Sequence, residues 1–112
     1  MLDVRVYYLQ PNKSNTKRVP VNIAKARTST EAKHARSLLR FVADRIHREA
    51  PEVHERCEGA DCKLKSVVTL SAQEPESVDM EGPLLHIVVN GHSDNLLLAH
   101  LESFLREKRQ AA

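Results

Sequence analysis

Ala32, Ala35, Leu38, Leu39, Val42, Ala43 and Ile46 recur at three- and four-residue spacing. At 100° per residue they gather on one side of a helix, so the chain must supply a partner surface to bury that stripe. Ser29 or Thr30 suits the N-cap, and Glu31 suits the positive end of the helix dipole. Pro51 predicts the end of this helix or a kink, with PEVHERCEGADC forming a last turn and then a loop.

The partner surface is a sheet. Leu2, Val4, Val6 and Tyr8 alternate with Asp3, Arg5 and Tyr7, the period-two pattern of a half-buried strand. QPNKSN breaks that strand with turn residues, and VPVNIA begins a second extended segment. Pro20 cannot donate to a ladder, which places this segment at a sheet edge or in an extended arm. Leu64 to Ala72 reads as a third strand around the β-branched KSVVTL, and LLHIVVN as a central strand covered on much of both faces. Gly91 closes that strand, Ser93 or Asp94 caps a final helix, and Leu97, Leu98, Leu101, Phe104 and Leu105 give the helix its apolar side.

The expected fold is therefore α+β, with element order β(β)αββα. A mostly antiparallel sheet of three or four strands carries two amphipathic helices on one face. At 112 residues the chain is read as one domain, residues 1–112. Within it, 12–28 is a basic loop or edge arm, 73–83 a flexible acidic loop and 107–112 a frayed tail. The second sheet face would carry Arg5, Tyr7, Lys65, Thr69 and His86, and would be solvated, bind a ligand or form a dimer interface.

No apolar run approaches the twenty or so residues a membrane span requires, and MLDVRVYY lacks the pattern of a signal peptide. Two cysteines make no disulfide framework, so the expected compartment is cytoplasmic. CEGADC with His47 and His54 offers zinc-type ligands in Cys57 and Cys62, but lacks the close cysteine pair of zinc ribbons. No metal and no cofactor are expected. NGHSDN, between strand and helix, can bind an anion at the helix N-terminus, although a glycine turn and cap use the same residues.

Charge is unevenly placed. Residues 1–56 carry twelve Lys and Arg against six Asp and Glu, and residues 57–112 carry five against nine. Asn12 to Arg27 contains Lys13, Lys17, Arg18, Lys25 and Arg27 and no carboxylate. On the long helix Lys33, Arg36 and Arg40 form a stripe opposite the apolar side. These eight cations are the candidate nucleic-acid-binding residues. With no aromatic in the arm to stack a base, they would grip a phosphate backbone with little sequence preference and steep salt dependence. The opposing expectation is that the acidic half neutralises the basic half within the fold.

No histidine belongs to a nucleophilic triad pattern, and no nucleotide-binding glycine motif occurs, so the chain is not expected to be an enzyme. The closing stretch LLHIVVNGHSDNLLLAHLESFLREK resembles, in its strand–turn–helix shape, small ribosome-associated stress proteins, without any motif specific to them. The two functional expectations are a nucleic-acid-associated protein and a protein-interaction module. The second is an adaptor, inhibitor or accessory subunit, dimeric through its open sheet face.

Overall fold

The computed structural model describes residues 2–29, 32–56, 68–90, 100, 101 and 103–105. Its elements are β1 (Leu2–Pro11), β2 (Lys17–Thr28), α1 (Ala32–Glu49), α2 (Pro51–Arg56), β3 (Val68–Ser71), β4 (Val78–Asp79) and β5 (Leu85–Asn90). Residues 100, 101 and 103–105 are helical. The chain is α+β, as its sequence suggests.

The strands form one sheet in the order β3-β5-β1-β2-β4. Three pairings are antiparallel, whereas β3 runs parallel to β5. One expectation is corrected here: the sheet has five strands rather than three or four, and its mostly antiparallel arrangement includes one parallel pair. Apolar alternation reports which side chains are buried but not which way a neighbouring strand runs. The additional strand is only Val78–Asp79, too short to leave a period in the sequence.

Leu2, Val4 and Val6 on β1, Leu85 and Ile87 on β5 and Ala24 on β2 are all buried on one sheet face. Against them pack Leu38, Leu39, Val42, Ala43 and Ile46 of α1, Val53 of α2, and Leu101 and Leu105. The helical stripe and the strand alternation thus meet as the sequence requires. Pro51 does not kink α1 but starts α2, in the first helical position where its missing N–H costs nothing.

A β-bulge between Val6 and Tyr7 shifts the β1–β2 register, so that Ala24 faces Val6 but Asn22 faces Tyr7. The extra residue, Ile23, is buried, and Arg45 Nε of α1 donates to its carbonyl at 3.1 Å. The Asn22 amide donates to the carbonyls of Val6 and Ala24, supplying partners that an interrupted ladder lacks. The hairpin itself turns at Asn12–Thr16. Asn12 Oδ1 accepts from the Thr16 N–H at 2.9 Å, and Asn15 adopts φ 54°, a left-handed conformation that asparagine tolerates.

Candidate functional site

Strand alternation sends Asp3, Arg5 and Tyr7 to the sheet face opposite the helices. The register sets Arg27 opposite Asp3, Lys25 opposite Arg5, and His86 opposite Tyr7. This second face is not open. Residues 72–84, which include the segment 73–83 expected to be a flexible acidic loop, cross it as a strap on their way from β3 to β5. A crossover of about a dozen residues is what joining two parallel strands requires. The face offered for a second copy of the chain is thus partly covered by the chain itself, with Lys25 and Arg27 exposed beside the strap.

The strap is held at several points. Glu74 receives the Arg5 Nη1 donor on Oε1 at 2.6 Å and the Tyr7 hydroxyl on Oε2. His86 Nε2 lies 2.9 Å from the Gln73 carbonyl, which can only accept, so that nitrogen carries a proton. In the neutral ring Nδ1 then accepts from the Thr69 hydroxyl, 2.6 Å away. Further along, Val78–Asp79 adds to the edge of β2 opposite Arg18 and Lys17. Leu84 returns the strap to the sheet by accepting from the Leu9 N–H at 2.9 Å. Gly82 closes the β4 turn where a Cβ would meet Val78 Cγ2 at 2.9 Å and the Asp79 carbonyl at 3.0 Å.

Between strap and sheet lies an open cleft of about 360 Å³, bordered by Leu9, Thr69, Glu74, Val78 and His86. The Tyr7 phenol is pushed above its ordinary value, chiefly because its proton is shared with Glu74. Tyr8, on the helix side, is also raised. Burial is the main cause there, followed by its 2.9 Å hydrogen bond to Glu52. Arg27 Nε donates to Asp3 Oδ2 at 3.0 Å, and Asp3 Oδ1 stands 3.9 Å from Arg5 Nε. Cations and carboxylates therefore alternate across this face, from Arg27 through Asp3 and Arg5 to Glu74.

The eight expected phosphate contacts do not come together. Lys13 and Lys17 are exposed at the hairpin end. Arg18 is removed from the exposed set: only 5% accessible, it donates to the carbonyls of Met80 and Leu9 and reaches Glu52 at 3.5 Å. Lys25 and Arg27 are exposed on the strap side, where Arg27 pairs with Asp3. Lys33, Arg36 and Arg40 are exposed on α1, across the sheet from them. There Arg40 stacks 4.7 Å above the Phe104 ring, beside a shallow recess of about 190 Å³ that Arg36 and Ser37 also line.

No protein-family model matches the chain, and neither a curated protein nor a solved structure matches it significantly. Its site is read from its own geometry. Of the zinc-type set, His47 lies within the described residues, whereas Cys57 and Cys62 and the His54 side chain lie outside them. Lys65 and most of NGHSDN also lie outside. No helix among the described residues is long and apolar enough to cross a membrane.

Sequence reasoning placed Arg5, Tyr7, Thr69 and His86 on one face but missed Glu74 as their counter-charge. One signal could have found it. Arg5 and Lys25 are directly opposed like charges, an arrangement that destabilises a strand pair unless an anion lies close by.

Proposed function

We propose that this protein is a non-catalytic interaction module that receives an extended acidic segment of a partner protein on the β1–β2 hairpin. The observation that supports this reading is the seat of the chain's own acidic segment. It joins β2 as a short strand at Lys17 and Arg18 and sets a carboxylate on Arg5 and Tyr7. A surface that accommodates acidic backbone in this way suits strand addition, in which ladder hydrogen bonds give affinity and side chains give selectivity.

The rest of β2 has room for such a partner. From Val19 to Thr28 it pairs only with β1 among the described residues. Val19 and Val21 are 39% and 37% accessible, and Phe41 of α1 is 44% accessible. Phe41 lies one turn before Arg45, the residue that reaches the β2 bulge. Pro20 and the bulge at Ile23 interrupt a continuous ladder, so the docking register is confined to Ala24–Thr28. Lys25 and Arg27 supply the positive charge within that stretch.

The phosphate-backbone reading has less support. It rests on cations converging into one track, whereas Lys25 and Arg27 are separated from Arg36 and Arg40 by the sheet, and Arg18 is buried. Affinity capture from the native host separates the two readings. With nuclease present, wild-type protein should retain a partner that the Lys25→Glu/Arg27→Glu variant loses. Partners that vanish on nuclease treatment, leaving only nucleic acid in the untreated capture, or a partner indifferent to the charge reversal, refute the module.

A further inference from the structure

Beyond the docking edge, the structure assigns a carboxylate-recognition site to Arg5 and Tyr7, with Glu74 as a built-in occupant that an acidic side chain of the partner displaces. This deepens the proposed function and rests on it, but concerns different residues from the Ala24–Thr28 edge.

The geometry is that of a receptor with its ligand in place. Each Glu74 oxygen has its own donor, one from the Arg5 guanidinium and one from the Tyr7 hydroxyl. Arg5 and Tyr7 are two apart on β1, so the pleat aims both at the same side with fixed spacing. Lys25, directly opposite Arg5, adds a second positive charge that no carboxylate of β2 offsets. The donors are embedded in the sheet, with the Arg5 side chain 31% accessible. The Glu74 side chain is 55% accessible and sits on a segment without regular structure between β3 and β4. The receptor half is thus fixed by the fold, and the occupant half is the more readily exchanged.

A tethered occupant competes at an effective concentration on the order of millimolar, because the chain holds it beside its site. A single free carboxylate cannot overcome that. A partner segment that also pairs with β2 gains enough additional contact to do so. Glu74 therefore sets a threshold, admitting extended acidic segments and rejecting isolated anions.

The test uses the full-length protein and a fluorescent peptide of residues 72–80, AQEPESVDM, supplied in trans. In anisotropy titrations at low salt, Glu74→Ala should bind this peptide at least tenfold more tightly than wild type. A peptide with glutamine in place of the residue equivalent to Glu74 should lose that gain, as should Arg5→Gln combined with Glu74→Ala. Far-UV circular dichroism and thermal melts of each variant confirm that the fold is intact, and Glu74→Gln serves as a second opened form. Equal affinity of wild type and both opened forms, or a gain that survives Arg5→Gln, overturns the site. So does a gain for an oligonucleotide instead of the peptide. If the gain survives Arg5→Gln but is lost in Lys25→Glu, the site falls while the module stands.

Discussion

The Arg18 guanidinium lies 3.5 Å from the Glu52 carboxylate, joining the start of β2 to α2. The same side chain donates to Leu9 of β1 at 3.0 Å and to Met80 of the strap at 2.9 Å. One buried cation thereby ties four segments of chain.

Replacing Arg18 with alanine should cost about 2–4 kcal/mol, since the Leu9 and Met80 carbonyls lose this donor and Glu52 loses one of its partners. Solvent reaches the Glu52 side chain, 34% accessible, and weakens the pair relative to a fully buried one. Urea denaturation measures it. A loss below 0.5 kcal/mol, the range of an ordinary surface substitution, would show that Arg18 is not a structural anchor.

Both tyrosines of the chain donate to carboxylates, Tyr7 to Glu74 and Tyr8 to Glu52. Their phenols should ionise above the ordinary value of about 10, which absorbance at 295 nm reads without interference from tryptophan. The unfolded chain releases these protons first. Stability is therefore unaffected below about pH 10 and falls as pH rises through the raised folded values. Glu74→Gln should return Tyr7 toward the ordinary value and leave Tyr8 raised. If the two tyrosines moved together, the assignment of the Tyr7 shift to Glu74 would be wrong.

Gly82→Ala forces a methyl group into Val78 and the Asp79 carbonyl, contacts of 2.9 and 3.0 Å. The turn must open, at a cost of about 1–3 kcal/mol, the usual penalty for overpacking. Faster amide exchange confined to Val78–Gly82 is the expected signature. Unchanged exchange there would mean that the turn has slack the contacts do not suggest.

At the hairpin tip, Asn15→Val should destabilise by about 1–2 kcal/mol, because a β-branched residue resists φ 54°. Asn15→Gly should stay within about 0.5 kcal/mol of wild type, since glycine adopts that conformation without a steric penalty. Thermal melts of the pair test the assignment. Equal loss in both would indicate that the Asn15 side chain, rather than its backbone angle, matters.

How much of this was legible in the sequence depends on what fixes each feature. Leu38 to Ile46 and Leu2 to Val6 announce their burial through periodicity, so the helix, the first strand and their shared core were readable. The alternation of β1 continues through Tyr8, but Leu9 on the opposite face is buried beside the strap, and the bulge at Ile23 resets the register of β2. Arg18 was misplaced because a buried arginine with carbonyl partners has the same local sequence as an exposed one. Its partners stand 9, 34 and 62 residues away. Glu74 and β4 were hidden for a similar reason. Tertiary hydrogen bonds order the segment, and its composition of acids and prolines gives no hint of them.

The parallel β3–β5 pairing sets an order of assembly. The chain between those neighbours must travel to the far margin of the sheet, contact Lys17 and Arg18, and come back. It has nowhere to lie until the β1–β2 hairpin exists, and closing so wide an excursion is entropically cheapest once that template is complete. The belt is consequently among the last parts to settle, and the part that partial unfolding would release first.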